Sequence, residues 1–516
     1  MSCLIAAPCS GSGKTLLSLC LAALVRRRGE SLQLFKVGPD YLDPQLLGAV
    51  AGRPCRNLDP LLCGEEWVVR SFHGYGSRAQ RVLVEGVMGL FDGRGPGSEG
   101  SSAAVASLLE LPVVLVVEAS RQAGSLAALV RGFRDHGPPS PRLAGVVLNR
   151  GASARHRALL REALAAIEVP LLGALPPHPA LELPSRHLGL HPPHELADLA
   201  ERQGIWAELA EQHLDLARLW PLLAPPAPPA DGLDPIRWRL SDPIQGRLAD
   251  PIHRPLAGPS AAPRPVAVAR DEAFHFLYPE AQELLSALGM APQPWSPLAD
   301  EPLPAGCRAV LLPGGYPELH AATLAASRRS LGALRQAAAE GVPIVAECGG
   351  LLLLGESLAD AAGVSHRMAG VLPFTARRGA LSLGYREAVA ERDGLLVRRG
   401  ERLTGHEFHR WQLEPLAGPV GSGGVGSVAA GSVATGPVAA RPGLWQVEGW
   451  GCPRRTEGWT AANIHASWLH LHWAGWPAIP SRLAAWSGPA VPPPPCAASS
   501  PRRSPPARLP PTSAGG

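Results

Sequence analysis

The stretch "AAPCSGSGKT" (residues 6–15) decides the fold expected for the first part of the chain. Its first residues end the apolar run "CLIAA", and the helix-like sequence "TLLSLCLAALVRR" follows it. A glycine-rich turn between a strand and a helix binds phosphate, because backbone N–H groups and the positive end of the helix dipole face the same point. Gly13, Lys14 and Thr15 fit the Walker pattern, although Pro8 replaces its first glycine. The residues expected to hold the phosphates of a nucleotide are Gly11, Ser12, Gly13, Lys14 and Thr15.

The polar side chains near this loop have separate expected roles. Lys14 is expected to pair with the β- and γ-phosphates, and the hydroxyl oxygen of Thr15 is expected to be a magnesium ligand. Asn149, which ends the later apolar run "LAGVVLN", is predicted to contact the base of the nucleotide. A glycine-rich turn that binds no ligand is the alternative interpretation.

Four acidic residues stand near the ends of predicted strands. Asp40 and Asp43 lie beside Lys36 in "KVGPDYLDP", and Glu85 and Asp92 lie in "VLVEGVMGLFDG". A carboxylate at the C-terminal end of a strand beside a phosphate loop is the usual second ligand of magnesium. Each acid alone is explained equally well as a solvated loop charge, and four exceed what one magnesium ion needs, so some are expected to orient an acidic substrate or hold a second metal. The predicted metal ligands are Thr15, Asp40 and Glu85.

The order of apolar runs predicts two α/β domains. In residues 1–220, short continuous apolar runs alternate with helical patterns, which indicates a parallel sheet covered on both faces. The pattern returns in residues 265–486, with "PVAVAR", "RAVLLPGG" and "VPIVAECGG". Two domains also suit the length of 516 residues.

Three segments of biased composition are expected to lie outside the packed cores. Residues 221–264 are rich in proline and repeat a DPI…RL unit, so we predict a flexible linker. Residues 418–441 are a low-complexity stretch that we predict to be an inserted surface loop. Residues 487–516 are predicted to be a disordered tail. No catalytic role is expected for any of them.

Composition limits which binding partners and which cellular compartment are expected for the protein. The net charge of +4 gives no reason to expect a nucleic-acid surface. No uninterrupted apolar run reaches the roughly 18 residues that a membrane span needs, so no membrane span is predicted. The nine cysteines form neither a CxxC pair nor a zinc-type cluster, which favours a reduced, cytoplasmic protein over a disulfide scaffold.

A second candidate site lies in the second region. In "VPIVAECGGLLLLG" a strand runs into a tight turn at Cys348 and then into an apolar helix, which is the arrangement of a nucleophile elbow with cysteine as the nucleophile. The following N–H groups and the helix dipole are expected to favour the thiolate. The backbone N–H groups of Gly315, in "LLPGGYPELH", and of Gly349 are predicted to form an oxyanion hole. A buried cysteine that only fills space is the alternative.

A cysteine nucleophile needs a base, and four histidines are available. His470 and His472 in "ASWLHLHW" are two residues apart, so on a strand they would face the same side. His406 and His409 lie in "GHEFHRW". One of the four is enough, and the residues alone do not choose between them.

Taken together, these motifs resemble the cobyrinic acid a,c-diamide synthase family, whose members are glutamine-dependent enzymes of cobalamin biosynthesis. The resemblance covers almost the whole chain outside the linker, the insert and the tail, and the loop of this family commonly lacks the first Walker glycine. The motifs that carry it are "SGSGKT", "KVGPDYLDP", "NLD", "VEGVMGLFDG", "LNR", "RHLGL", "PGGYPELHA", "ECGGLLLLG", "GYRE", "GHEFHRW" and "SWLHLHW".

The resemblance implies a dethiobiotin-synthetase-like ATP domain fused to a class I glutamine amidotransferase domain. It implies that Cys348 attacks L-glutamine and that His470, rather than His472, is the partner histidine. Ammonia would then pass to the first domain, where ATP activates the a and c carboxylates of the corrinoid cobyrinate as acyl phosphates and ammonia displaces the phosphate. The residues that the resemblance places at the site of Mg²⁺, ATP and the corrinoid are Asp40, Asp43, Glu85 and Asp92.

Two other functions compete with this one. The first is the same reaction on hydrogenobyrinic acid, the cobalt-free corrinoid, from which the motifs do not separate it. The second is a regulatory or partitioning ATPase, which would carry a second lysine near the start of its phosphate loop. Pro8, Cys9 and Ser10 occupy those positions, and such an ATPase would have no use for the cysteine turn. The oligomeric state stays open.

Overall fold

The first 220 residues form a sheet of parallel strands flanked by helices. A computed structural model describes residues 1–151, 153–186, 189–241, 263–416 and 440–491. Seven strands are hydrogen-bonded in the order β3-β2-β4-β1-β5-β6-β7, and every neighbouring pair is parallel. The strands are β1 (Cys3–Ala6), β2 (Leu32–Val37), β3 (Arg56–Leu58), β4 (Arg81–Glu85), β5 (Val113–Glu118), β6 (Leu143–Asn149) and β7 (Leu171–Ala174).

Successive residues of the central strands face two different cores. Leu4 packs into the core that helices around residues 65–165 cover, and Ile5 packs into the core on the other face. This explains why these strands are continuously apolar: both of their faces are buried. The helices are α1 (Lys14–Arg27), α2 (Leu42–Ala51), α3 (Pro60–Cys63), α4 (Glu65–Gly76), α5 (Ser102–Leu108), α6 (Ser125–Asp135), α7 (Ala154–Ala165), α8 (Leu199–His213) and α9 (Leu216–Leu219).

The second domain contains a mixed sheet. Strands run in the order β11-β10-β12-β13-β20-β19-β18-β16-β14-β15, with β17 paired to β16, and the first five of these are parallel. The strands, after the small hairpin of β8 (Ser185–Arg186) and β9 (Gly189–Leu190), are β10 (Arg264–Ala269), β11 (Met290–Trp295), β12 (Ala309–Leu312), β13 (Ile344–Glu347), β14 (Ser357–Ala359), β15 (Ser365–Arg367), β16 (Phe374–Ala390), β17 (Arg402–Pro415), β18 (Arg441–Gly449), β19 (Cys452–Ala461) and β20 (Ile464–Ser467).

The helices of this domain flank the parallel part of the sheet. A separate core beneath them contains Cys348 and the apolar residues that follow it. The helices, with α10 preceding the domain, are α10 (Pro235–Ser241), α11 (Pro279–Ala287), α12 (Ala321–Ala326), α13 (Arg328–Ala339), α14 (Gly349–Leu354) and α15 (Ala478–Ala485). The predicted fold class, an N-terminal domain with a parallel sheet and a C-terminal α/β domain, is confirmed. The second sheet continues beyond β20 through largely antiparallel strands, with β14 parallel to β16.

The predicted linker begins with ordered structure. Its described part, residues 221–241, includes α10, whose Ile236 is buried. Asp231 accepts a hydrogen bond from Arg70 at 2.7 Å, which ties this segment to α4. Residues 242–262 of the linker, 417–439 of the predicted insert and 492–516 of the predicted tail lie outside the described residues. The domain boundaries at 220 and 265 stay predictions.

A buried ion-pair group joins the two domains. Arg56, on β3, donates to Glu280 at 2.8 Å and to Glu283 at 2.6 Å, both on α11. The guanidinium carbon of Arg56 also lies 3.4 Å from the ring centre of Tyr75. Glu280 is fully buried, so this charge is compensated only as long as the two domains stay docked.

Candidate active sites

The phosphate loop sits at the carboxyl edge of the first sheet, between β1 and α1. Gly11 and Gly13 have positive φ angles of 81° and 109°, which side chains rarely adopt. A Cβ on Gly13 would lie 2.4 Å from the amide nitrogen of Asn149, so only glycine fits there. That amide nitrogen donates to the carbonyl of Ser12 at 3.0 Å. Asn149 therefore holds the loop in place, and its contact with a base stays a prediction.

Lys14 lies over the loop with its charge unpaired by any described carboxylate. Its ammonium donates to the carbonyl oxygen of Met88 at 2.5 Å and lies 3.5 Å from that of Cys9. Burial, together with the charge of Lys36, lowers the pKa of Lys14. A cation held only by carbonyl groups retains most of its attraction for an anion, so this position suits phosphate binding.

Three of the four predicted acids converge on one lysine. The ammonium of Lys36 is 2.5 Å from Asp43, 2.7 Å from Glu85 and 3.6 Å from Asp40. Burial alone would lower the pKa of Lys36, but the carboxylates of Asp43 and Glu85 raise it well above its usual value. The pairing follows from the sheet, because Lys36 on β2 is in register with Glu85 on β4. In the sequence Lys36 stands close to Asp40 and Asp43, but nothing in the local pattern predicts this pairing with Glu85.

The oxygen atoms at this point fit one divalent cation beside a bound phosphate. The hydroxyl of Thr15 donates to one carboxylate oxygen of Glu85 at 2.9 Å. The other oxygen of Glu85 is buried and has no hydrogen-bond partner among the residues that the structure describes. Among the described residues, no three His, Cys, Asp or Glu side chains are arranged to hold a metal by themselves. Magnesium commonly takes one or two protein oxygens and completes its shell with phosphate and water, which Thr15 and Glu85 allow.

Asp40 and Asp92 have surroundings that differ from those of Glu85. Asp40 uses one carboxylate oxygen to accept the N–H of Leu42 at 2.9 Å, and burial together with Asp43 raises its pKa to about 7. Asp92 is exposed and accepts the N–H of Gly89 at 2.7 Å, so it shapes its own turn. The structure brings Asp40, Asp43 and Glu85 together and leaves Asp92 outside this cluster.

The cysteine turn has the backbone that was predicted for it. Cys348 follows the last residue of β13, has a φ of +48°, and is followed directly by α14. Its N–H donates to the carbonyl of Ser467 at 2.8 Å, and its sulfur is 3.6 Å from the carbonyl oxygen of Phe408. A non-glycine residue with positive φ between a strand and a helix is strained, and such strain is common at nucleophile elbows.

The expectation that this turn favours the thiolate is wrong for the structure as it stands. Burial raises the pKa of Cys348 well above its usual value, and the negative charge of Glu318 raises it further. The hydrogen bond from the N–H of Gly349 lowers the pKa, but by less than burial raises it. Sequence alone suggested a helix dipole, whereas α14 has only six residues and the sulfur is almost excluded from water.

The two predicted oxyanion glycines are in contact. A Cβ on Gly349 would lie 2.9 Å from the backbone nitrogen of Gly315, so the two backbones approach as closely as glycine permits. A Cβ on Gly350 would lie 2.0 Å from the carbonyl oxygen of Leu312, which excludes a side chain there as well. The tertiary structure thus brings the N–H-bearing segments of both turns to one place, and their role as an oxyanion hole stays a prediction.

The histidines have different surroundings. His470 and His472 lie past the end of β20, so they are not on a regular strand as the sequence suggested. A Cβ on Gly314 would lie 2.5 Å from the ring of His470, which puts that ring against the glycine loop. The nearest carboxylate to His472 is Glu280, at 3.7 Å, so His472 belongs to the domain interface. His470, and not His472, therefore lies against the glycine loop that approaches Gly349, and its role as the partner of the cysteine stays a prediction.

Burial keeps His470 uncharged. Its pKa is lowered to about 3, first by burial and then by His406. Both of its ring nitrogens are buried, and neither has a hydrogen-bond partner in the part of the chain that the structure describes. His409 stacks on Trp468 with 3.8 Å between ring centres, and its ring bonds the carbonyl of Trp411 at 2.8 Å. His409 is thereby held by its neighbours, whereas the nitrogens of His470 stay available to a substrate or a proton.

Both domains of the chain match families of known proteins. Residues 3–190 match the family of the CobQ/CobB/MinD/ParA nucleotide binding domain, and residues 265–477 match the CobB/CobQ-like glutamine amidotransferase domain. Cobyrinate a,c-diamide synthase from Gloeobacter violaceus is 42% identical over 92% of this chain and 94% of its own length. The protein of the same name from Synechococcus sp. is 39% identical over 92% of this chain and 96% of its own.

A relative with a different name is similar to the same degree. Hydrogenobyrinate a,c-diamide synthase from Streptomyces coelicolor is 39% identical over 93% of this chain and 96% of its own length. The matches span both domains and therefore both candidate sites. The chain belongs to the family of the cobyrinate and hydrogenobyrinate a,c-diamide synthases.

Proposed function

We propose that this protein is an ATP-dependent ligase that converts the a and c carboxylates of cobyrinate into amides, with glutamine or free ammonia as nitrogen donor, in cobalamin biosynthesis. The observation that carries the proposal is that one chain holds both a phosphate loop with a lysine–carboxylate cluster and a strained cysteine turn. Its relatives of that name match it across both.

In the first domain, ATP is the reagent that makes a carboxylate reactive, since an oxygen of the carboxylate becomes a leaving group once it carries the γ-phosphoryl group. Lys14 and the N–H groups of the loop neutralise charge on the phosphates. Asp40 and Asp43, which lie beside Lys36, are proposed to orient the corrinoid carboxylate that is activated. Attack by ammonia forms the C–N bond and releases phosphate.

Magnesium is the ion we propose for this domain, where it would stabilise the charge on the transferring phosphoryl group. Thr15 and Glu85 are the residues that would hold it, since one buried oxygen of Glu85 has no hydrogen-bond partner within the described ranges. Asp40 was predicted as a third ligand, and its hydrogen bond to Leu42 makes it more suitable for orienting the substrate.

In the second domain, Cys348 is the proposed nucleophile and the N–H groups of Gly315 and Gly349 the proposed oxyanion hole. The sulfur attacks the side-chain amide of glutamine, His470 takes the thiol proton and delivers it to the leaving nitrogen, and ammonia departs. Water then hydrolyses the thioester to glutamate. Because the site is buried, ammonia is released into an environment that does not protonate it.

Mass spectrometry of cobyrinic acid incubated with the protein, ATP, magnesium and glutamine tests the proposal. Two successive mass decreases, each matching replacement of OH by NH₂, are expected. An unchanged corrinoid, with glutamine still hydrolysed, would contradict cobyrinate as the acceptor.

The second candidate acceptor is hydrogenobyrinate, which differs from cobyrinate in lacking cobalt. The observation that favours it is the relative from Streptomyces coelicolor, which carries that name at 39% identity. Parallel assays with both corrinoids at equal concentration distinguish the two, and the ratio of their kcat/KM values decides the natural substrate.

The cytoplasm is the proposed location. The cysteines among the described residues are all free, which fits a reducing compartment. In the part of the chain that the structure describes, no helix has both the length and the apolar character needed to cross a membrane.

A further inference from the structure

One residue of the first domain is packed inside the second. Tyr41 stacks on Phe276 with 5.2 Å between ring centres, lies 4.5 Å from the ring of Tyr278 and lies 5.0 Å from the ring of His470. All three partners belong to the second domain. Only 9% of Tyr41 is exposed, so it closes the space next to His470.

Tyr41 belongs to the loop that carries the acids of the first site. It stands between Asp40 and Asp43, and Asp43 reaches the ammonium of Lys36 at 2.5 Å. The loop is fixed on its own side by Asn57, whose side-chain amide donates to the carbonyls of Gly38 and Asp40, both at 2.8 Å. Tyr41 is bonded directly to Asp40 and is separated from Asp43 by Leu42 alone, so its position is tied to that of the acids.

The polar atoms of three buried rings meet around Tyr41. Both ring nitrogens of His470 have no hydrogen-bond partner among the described residues, whereas the hydroxyl groups of Tyr41 and Tyr278 interact with each other. Buried polar groups are normally paired, and an unpaired group at this position indicates a site that a polar molecule occupies or crosses. Burial and the neighbouring Tyr278 raise the pKa of Tyr41, and Glu347 and Cys348 lie close enough to contribute, so Tyr41 also lies near the proposed nucleophile.

We propose that Tyr41 is a positioning residue that couples the two reactions: its ring seals the glutaminase site beside His470 and directs ammonia toward Asp40 and Asp43. This inference rests on the proposed function. It makes Tyr41 necessary for efficient use of ammonia released from glutamine and unnecessary for either chemical step alone. Tyr41 touches no reacting atom in this role.

The test compares the glutamate formed with the amide formed. In the wild-type protein each amide is expected to consume one glutamine. In Tyr41→Ala we expect the ratio of glutamate to amide to rise severalfold, while synthesis from saturating ammonium stays within a factor of about two of wild type. Tyr41→Phe keeps the ring and is expected to keep the ratio near that of the wild type.

Tyr75→Ala is the matched control. Tyr75 is also a buried tyrosine of the first domain at the interface, but it contacts Arg56 and donates to Glu283 at 2.8 Å, away from His470. An unchanged ratio in folded Tyr41→Ala, or an equal rise in Tyr75→Ala, would overturn the proposal. If Tyr41→Ala does not fold, Tyr41→Leu is subject to the same criterion.

Failure of the coupling role and failure of the proposed function give different results. If the wild-type protein forms no amide from either glutamine or ammonium, the proposed function is wrong. If it forms amide from both and the ratio is insensitive to Tyr41, only the coupling role is wrong. Labelled ammonium added during glutamine-dependent synthesis gives a further reading, since Tyr41→Ala is expected to incorporate more label than the wild type.

Discussion

The two candidate sites are built on carboxyl edges of similar parallel sheets, yet one is charged and the other is neutral. The first gathers Lys36, Asp43 and Glu85 at ion-pair distances. In the second, burial raises the pKa of Cys348 and lowers that of His470 to about 3, so both groups are uncharged in this arrangement.

The difference follows from the chemistry proposed for each site. Phosphoryl transfer builds negative charge, which fixed cations and carboxylate-held magnesium stabilise. Once released, ammonia must stay unprotonated until it reaches the first domain, since ammonium is not a nucleophile.

Substitution of Lys14 disrupts the charged site and is expected to lower amide synthesis more reliably, with both nitrogen donors, than any other change. Lys14→Ala should lower synthesis from both glutamine and ammonium by about a hundredfold or more, because it removes a cation from the phosphates. Glutamine hydrolysis without ATP should stay near the wild-type rate. Synthesis within tenfold of wild type would contradict the role of Lys14. Steady-state assays with each nitrogen donor measure all three quantities.

Substitution of Cys348 affects only the second, uncharged site and therefore only the use of glutamine. Cys348→Ser should lower glutamine-dependent synthesis by about a thousandfold, since the hydroxyl is a much weaker nucleophile, and leave ammonium-dependent synthesis nearly unchanged. Cys452→Ser, which changes a partly exposed cysteine of the same domain, is the control and should behave like wild type. Parallel loss of both activities in a folded Cys348→Ser protein would show that the two sites do not divide the work as proposed.

Loss of the buried ion pair between the two domains is expected to lower the free energy of unfolding. Arg56→Ala leaves Glu280 buried without its charge partner, and such a loss typically destabilises by about 3–5 kcal/mol. Urea unfolding followed by tryptophan fluorescence measures the effect. The control Arg131→Ala removes an exposed pair with Asp135 and should leave the transition unchanged. Equal stability of Arg56→Ala and wild type would mean that the domains do not depend on this contact.

The smallest expected effect is on the pH dependence of stability, through the protonation of Glu347 in the second site. Burial raises the pKa of Glu347, next to Cys348, from an ordinary 4.5 to about 8. A raised folded-state pKa means that the folded protein binds the proton more tightly, so the contribution of Glu347 to stability is present below pH 4.5 and is lost as pH rises toward 8.

Glu347→Gln lacks this titration. Its melting temperature, compared with that of the wild type from pH 5 to pH 9, should therefore improve relative to the wild type as pH rises. A constant difference across this range would show that Glu347 is ionised throughout and that the site is not neutral.

Much of both sites was predictable from local sequence. Six apolar runs of the first domain are strands, because a strand buried on both faces must be apolar throughout. β3 was missed, because its three residues include Arg56 and Asn57, whose roles are to hold α11 and the loop after β2. The long strands β16 and β17 were also missed, because they are partly exposed along their length and lack a continuous apolar run.

The sequence by itself determined the phosphate loop and the cysteine turn, because adjacent residues set the backbone geometry of both. It also determined the family, because the motifs that identify the family are short and continuous in the chain. The tertiary structure decided the rest: that Lys36 organises the acids, that His470 faces the glycine loop while His472 faces Glu280, and that Tyr41 crosses between domains. It also decided that the thiol of Cys348 is neutral. The physical reason is that charge pairing and protonation depend on burial and on residues distant in the chain, which local patterns do not encode.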